Sequence, residues 1–119
     1  MRILVVQWDY PAARRRVAEL RAAGHDVAAE TNESGAAYRK AQRDRPDAIV
    51  LDLAHLPSRT RQVVRALNRQ FGDRLIFVGG DTHLRDRIRR LAPRGRFVAT
   101  RDLIPVLETY EPPDRDGRP

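Results

Sequence analysis

The sequence predicts a doubly wound α/β domain, in which a parallel five-stranded sheet lies between two layers of helices. Short aliphatic runs alternate five times with helix-like segments, and these runs are apolar throughout instead of alternating with polar residues. A length of 119 residues suits one domain with a full core. Strands that are apolar on both faces need helices on both faces, and right-handed crossovers then leave the doubly wound sheet as the natural arrangement.

The five apolar runs are the predicted strands. Each is short and is bounded by charged or turn-forming residues, as buried strands of parallel sheets usually are. In chain order they are Arg2–Gln7, Asp26–Ala29, Ala48–Leu53, Leu75–Val78 and Phe97–Ala99.

The segment "PAARRRVAELRAAG" predicts the first helix. Pro11 suits a first helical turn and Gly24 a stop, because proline fixes a helical φ and glycine tolerates the left-handed region. Val17, Leu20 and Arg21 show helical spacing, and we expect the other arginines on the opposite face.

Two more helices follow from the segments "NESGAAYRKAQRDRP" and "SRTRQVVRALNRQFG". The second helix should end before Pro46, whose ring disfavours a helical residue in front of it. The third has Ser58 as its predicted N-cap and Gly72 as its stop. Its predicted apolar stripe consists of Val63, Val64, Leu67 and Phe71.

The fourth predicted helix lies in "THLRDRIRRLAPRG" and the fifth in "DLIPVLETY". For the fourth we expect Thr82 as the cap and Leu84, Ile88 and Leu91 inward. In the fifth, Pro105 fits only the first turn. The domain is expected to span residues 1–110, and the Pro- and charge-rich tail 111–119 is expected to be disordered.

The amino-acid composition excludes some classes of function and favours others. Cysteine is absent, which excludes disulfides and thiolate chemistry, and no stretch has the length and apolarity of a membrane span, so we expect a cytoplasmic protein without membrane contact. The net charge of +7 comes almost wholly from arginine, since Lys40 is the only lysine. Such a charge suits acidic partners, nucleic acid included, although arginine-rich genomes produce the same balance.

In doubly wound sheets the functional crevice lies at the carboxyl ends of the strands. Asp52 occupies that position in "PDAIVLDLAHLP", after the third apolar run. Together with "RILVV", "LIFVGG" and "RFVAT", this segment resembles the receiver domain of two-component response regulators over roughly residues 1–110. The resemblance implies a flavodoxin-like three-layer α/β/α fold with strand order 2-1-3-4-5, a place in signal transduction and Asp52 as the phosphoacceptor.

The rest of the receiver constellation is degenerate in this sequence. The family's Mg²⁺-binding acid pair falls on Gln7 and Trp8, its Ser or Thr position on Gly79, and its Lys position on Thr100. Phosphoryl transfer needs cations and donors around the transferred group, so most of that chemistry is expected to be lost. We interpret Trp8 as an aromatic plug at the family's metal position.

Other groups at the same edge could still bind a ligand. Asp9, Asp52 and Asp81 all follow strands and could converge on a divalent ion such as Mg²⁺, although we expect no cofactor. His55 and His83 could add nitrogen ligands, but they lack the tight spacing of a metal motif.

The densest basic stretch is "RDRIRRLAPRGR", residues 85–96. In the resembled family, the fourth helix, fifth strand and fifth helix form the usual docking and dimerising face. The residues expected on this face are Arg85, Arg89, Arg90, Arg96 and Arg101.

The sequence thus favours a non-enzymatic, stand-alone atypical receiver that acts through a protein partner or a homodimer, without ordinary phosphorylation. One alternative is an active switch with Asp52 as phosphoacceptor. Another is a basic protein that associates with nucleic acid through the face around residues 85–96, with binding that falls steeply as salt is added.

Overall fold

A computed structural model describes residues 1–30, 36–54 and 60–113. It contains one parallel sheet in the order β2-β1-β3-β4-β5, which confirms the predicted topology. The strands are β1 (Arg2–Val6), β2 (Asp26–Glu30), β3 (Ala48–Asp52), β4 (Leu75–Val78) and β5 (Arg96–Val98). The helices are α1 (Tyr10–Ala22), α2 (Ala36–Asp44), α3 (Thr60–Phe71), α4 (Thr82–Leu91) and α5 (Leu103–Glu108).

Two core layers cover the two faces of the sheet. Successive strand residues point to opposite faces, so Val6 packs into the layer beneath α2, α3 and α4, whereas Val5 packs into the layer beneath α1 and α5. The two central strands β3 and β4 are buried on both faces, as their unbroken apolar runs predict. The part of the chain that the structure describes has no helix long and apolar enough to cross a bilayer.

Helix α1 begins and ends as the sequence predicts, but its inward face differs. Asp9 is the N-cap and accepts a hydrogen bond from the Ala12 amide at 3.0 Å, while Gly24 has φ +96° just beyond the helix end. Arg21 is exposed, and Arg16 is buried beside Leu20. The expectation that the remaining arginines of α1 all lie on the solvent face is therefore wrong for Arg16.

The predicted cap of α4 is also shifted by one residue. Asp81 is the N-cap, with its carboxylate accepting from the Leu84 amide at 2.7 Å, and Thr82 is the first helical residue. Both residue types cap helices well, and only the extended backbone of Asp81 (φ −81°, ψ 170°) decides between them. Of the inward residues, Ile88 is buried. The predicted α3 cap, Ser58, lies outside the described residues.

A single 3₁₀ turn precedes β4 at Gly72–Arg74, and another precedes α5 at Thr100–Asp102. Pro105 lies in the first turn of α5, as predicted. Residues 114–119 of the predicted tail lie outside the described residues. Within the described part, the Pro113 carbonyl accepts a hydrogen bond from Arg74 at 3.5 Å.

Candidate functional site: a neutralised carboxylate at the sheet edge

Asp52 is the last residue of β3 and lies at the carboxyl edge of the sheet. Its side chain is 13% exposed, so the carboxylate is largely removed from water. The Ala54 amide donates to Asp52 Oδ1 at 3.1 Å. A carboxylate this buried needs a positive partner, because the desolvation of an isolated charge is costly.

Arg16 is that partner. Its side chain is 9% exposed, and Nη2 lies 3.3 Å from Asp52 Oδ2. Nη1 of the same guanidinium lies 3.3 Å from Glu19 Oε1, so Arg16 bridges a buried acid and a partly exposed one. One fixed cation from α1 thus neutralises the carboxylate that would accept a phosphoryl group in the resembled family.

Arg16 was not anticipated as a site residue, yet the sequence carried a signal for it. Ala13, Arg16 and Leu20 recur at intervals of three and four, which places them on one helix face, and all three are buried. The run of arginines at 14–16 suggested a solvated face. Helical spacing, applied residue by residue, would have separated Arg16 from Arg14 and Arg15.

Gln7 lies beside Asp52. Val6 pairs with Leu51 in the register between β1 and β3, so the next residues of the two strands are neighbours. Gln7 is fully buried, and its Oε1 accepts a hydrogen bond from the Asp9 amide at 3.0 Å. Its Nε2 and the Arg16 Nε have no hydrogen-bond partner among the described residues. Buried donors are therefore in excess next to Asp52.

Trp8 packs on the opposite side of the sheet from Arg16. It contacts the layer beneath α2, α3 and α4, whereas α1 covers the other layer. Its indole Nε1 is buried without a partner among the described residues. The group in contact with Asp52 is thus the guanidinium from α1.

The loop after β4 has also departed from the pattern of the resembled family. Gly79 has φ +77° and Gly80 has φ +78°, a region that side-chain-bearing residues adopt only with strain. A serine or threonine at position 79 would therefore require another backbone path. The Thr100 hydroxyl lies 3.7 Å from where a Cβ of residue 79 would be, so a hydroxyl is present nearby, but from the exposed turn after β5.

The residues at this edge do not fit Mg²⁺, the ion that the resemblance implies. Asp9 and Asp81 each cap a helix, and Asp52 pairs with Arg16. In the described ranges, no three acidic or histidine side chains come together as metal ligands, so the predicted triad of Asp9, Asp52 and Asp81 does not form. Mg²⁺ also needs oxygen ligands, whereas the buried atoms without partners here include the amide and guanidinium nitrogens described above.

Of the two candidate histidines, the structure describes only His83. His83 is exposed in the first turn of α4. His55 lies outside the described residues.

The predicted basic face around α4 and β5 is partly organised by stacking. Arg89 lies over the Phe97 ring, with 4.7 Å between its guanidinium carbon and the ring centroid, and pairs with Asp86 at 3.1 Å. Arg96 lies over the Tyr110 ring at 5.7 Å. The remaining predicted members are Arg85, which is half-buried, Arg90, which is exposed, and Arg101, whose side chain is 89% exposed and lies 4.0 Å from the Asp102 carboxylate.

No family model and no curated protein matches the sequence. Solved structures do match. The chemotaxis protein CheY4 of Vibrio cholerae is 17% identical with a TM-score of 0.74, over 90% of this chain and 95% of that one. The chain has the receiver fold. This confirms the resemblance at the level of the fold, which is all that such an identity shows.

Two further solved structures share this fold. The signal receiver domain of a modulated diguanylate cyclase from Desulfovibrio desulfuricans G20 is 23% identical, with a TM-score of 0.67 over 90% of this chain and 86% of that one. The response regulator TrrA from Thermotoga maritima, solved with Mg²⁺ and BeF, is 20% identical, with a TM-score of 0.67 over 90% and 96%.

Proposed function

We propose that this domain is a signal-transduction module that works through protein contact, with Asp52 held by Arg16 instead of being phosphorylated with Mg²⁺. The observation that carries the proposal is the buried contact of 3.3 Å between Arg16 Nη2 and Asp52 Oδ2. The receiver fold supports the signalling role, and the degenerate crevice supports the atypical mode.

The electrostatics favour a fixed state over a switch. Transfer of a phosphoryl group places additional negative charge at the acceptor, and a divalent cation is the usual means of neutralising it. A divalent ion at Asp52 would have to displace Arg16 or lie beside its charge, where like charges repel. Both oxygens of Asp52 already accept hydrogen bonds, from Arg16 and from the Ala54 amide. The carboxylate is therefore engaged in a resting structure.

Output then depends on a surface that other proteins can contact. The proposed docking face is the α4–β5–α5 surface, with Arg85, Arg89, Arg90, Arg96 and Arg101 as its proposed basic members. Stacking of Arg89 and Arg96 on aromatic rings orders two of these side chains before any partner arrives, which lowers the entropic cost of docking. An acidic protein surface fits this face, and a homodimer is the alternative occupant.

The test uses Trp8, the only tryptophan of the chain. Mg²⁺ is titrated first and beryllium fluoride is then added as a phosphoryl mimic, while Trp8 fluorescence and the heat of binding are recorded. We expect no saturable response in either signal. The Thermotoga TrrA protein, which forms a Mg²⁺–BeF complex, is the positive control for the reagents.

The Asp52→Asn variant distinguishes an Asp52 that is held by Arg16 from an Asp52 that accepts a phosphoryl group. A saturable response that disappears in this variant would overturn the proposal and make Asp52 a phosphoacceptor. Incubation with a small-molecule phosphodonor, followed by mass spectrometry of the intact chain, gives an independent readout. A mass increase of one phosphoryl group that Asp52→Asn abolishes would lead to the same conclusion.

A further inference from the structure

A row of arginines lies along α3. Arg61, Arg65 and Arg69 are spaced four residues apart and are all exposed. Residues at this interval lie on one side of a helix, about 6 Å apart along its axis. The row therefore presents three positive charges over about 12 Å.

The row faces away from α2. Gln70 marks the α2 side of α3, because its Oε1 accepts a hydrogen bond from Tyr38 of α2 at 3.0 Å. Successive residues of a helix are rotated by about 100° around its axis. Relative to Gln70, this rotation places Arg61 and Arg65 on the flank opposite α2, and Arg69 toward solvent. That flank is the one next to α4, which packs beside α3 on the same face of the sheet.

Helix α4 contributes a fourth charge to this flank. Arg89 turns toward β5, where it lies over Phe97, and Ile88 points into the core. Arg87 precedes Ile88 by one residue, so helical geometry places it on the α3 side. Arg87 is exposed. We call Arg61, Arg65, Arg69 and Arg87 the α3–α4 arginine surface.

The charges of this surface are not compensated. Helix α3 contains no acidic residue, and the one acidic residue of α4, Asp86, pairs with Arg89. Just after the C-terminal end of α3, the carboxylate of Asp73 pairs with Arg94 at 2.9 Å. Throughout the described residues, none of the four arginines of the surface forms an ion pair with a carboxylate. Their mutual repulsion is relieved when an anion binds.

We propose that the α3–α4 arginine surface binds the phosphate backbone of nucleic acid. A protein interface of ordinary affinity needs an apolar centre, and the described residues of this surface include no exposed large apolar side chain. The α4–β5–α5 face differs, because the half-buried rings of Phe97 and Tyr110 lie beneath Arg89 and Arg96 there. Regularly spaced guanidinium groups without aromatic neighbours suit phosphates, and they provide nothing on which bases could stack. Binding is therefore electrostatic and independent of sequence. This activity is separate from the state of Asp52.

The probe is a fluorescein-labelled DNA duplex of about 20 base pairs and arbitrary sequence, followed by fluorescence anisotropy. Four phosphate contacts predict a loss of about 150-fold in affinity between 50 and 200 mM salt. The triple variant Arg61→Gln, Arg65→Gln, Arg69→Gln keeps one contact, so we expect its weaker binding to fall only about 3- to 4-fold over the same range.

A matched control removes the same charge from the opposite layer. Arg14→Gln, Arg15→Gln, Arg21→Gln alters three exposed residues of α1, and it should retain the wild-type salt dependence. Circular dichroism checks that both triple variants are folded. If both lose the same affinity for the duplex, the loss depends only on net charge, and this result would overturn the proposal. So would binding of labelled polyglutamate in preference to the duplex, because it would make an acidic protein the partner.

Discussion

Buried arginines lie near both ends of the sheet, and they are held in different ways. Near the amino ends of the strands, Arg74 precedes β4 and donates to the Pro46 carbonyl at 3.0 Å and to the Pro113 carbonyl at 3.5 Å. Near the carboxyl ends, Arg16 contacts the carboxylates of Asp52 and Glu19. The two side chains are almost equally buried, at 8% residue exposure each.

The difference lies in what each guanidinium stabilises. Arg74 donates to backbone carbonyls of segments that are far apart in sequence, so these hydrogen bonds act as a structural clamp between the residues before β3 and the segment after α5. Arg16 connects side chains, and its Nε has no hydrogen-bond partner in the part of the chain that the structure describes. It holds the residue that defines the chemistry of the crevice in the resembled family. A buried arginine that donates to backbone carbonyls stabilises the fold. One that pairs with a crevice carboxylate also fixes the environment of that carboxylate.

The largest effect is expected at the clamp. Arg74→Met should lower the free energy of unfolding by about 3 kcal/mol, because it removes buried hydrogen bonds and leaves the carbonyl acceptors without their donor. Urea denaturation followed by circular dichroism measures the loss. Arg101→Met removes the same charge from an exposed position and should change stability by less than about 0.5 kcal/mol. Similar losses in the two variants would mean that Arg74 acts only through net charge.

A double-mutant cycle at the crevice should give the next largest effect. Arg16→Met should cost about 2 kcal/mol, since it leaves the Asp52 carboxylate buried with less compensation. Asp52→Asn should cost less, because Arg16 keeps its contact with Glu19. We expect a coupling energy of about 1 kcal/mol between the two sites, measured by urea denaturation of the wild type, both single variants and the double variant. Strictly additive losses would show that the ion pair does not stabilise the fold.

The sequence was informative about the clamp and the crevice to different degrees. Strand β4 has the bounds that its apolar run predicts, and Asp52 lies at the predicted edge, because both follow from periodicity and parallel topology. Arg16 lies 36 positions from Asp52, so their contact depends on how α1 docks on the sheet. A single sequence carries no local signal for such a long-range pair.

The smaller errors in the sequence predictions arise where two local structures fit the same residues. Asp81 and Thr82 are both good capping residues in adjacent positions, and only the backbone dihedral angles choose between them. The left-handed backbone at Gly79 and Gly80 was not predicted, although a Gly-Gly pair permits it. The three aspartates after the strands suggested convergence, yet two of them satisfy the amides of their own helices instead.

The smallest effect is expected at Tyr110, which lies near the amino ends of the strands, as Arg74 does. Its hydroxyl donates to the Asp47 carbonyl at 3.2 Å, and burial raises the pKa of this phenol above its usual value, against the opposing charges of Arg74 and Arg96. Below about pH 10 the phenol is protonated in both the folded and the unfolded chain. As the pH rises past that value, the unfolded chain loses the proton first, so the stability that Tyr110 contributes falls.

Tyr110→Phe removes both the hydrogen bond and this titration. We expect the variant to be about 1 kcal/mol less stable than the wild type near pH 8, and the difference to shrink near pH 11. Urea denaturation of both proteins at the two pH values measures this difference. A difference that stays constant would place the phenol in solvent. A difference that shrinks would extend the clamp from Arg74 to the end of α5.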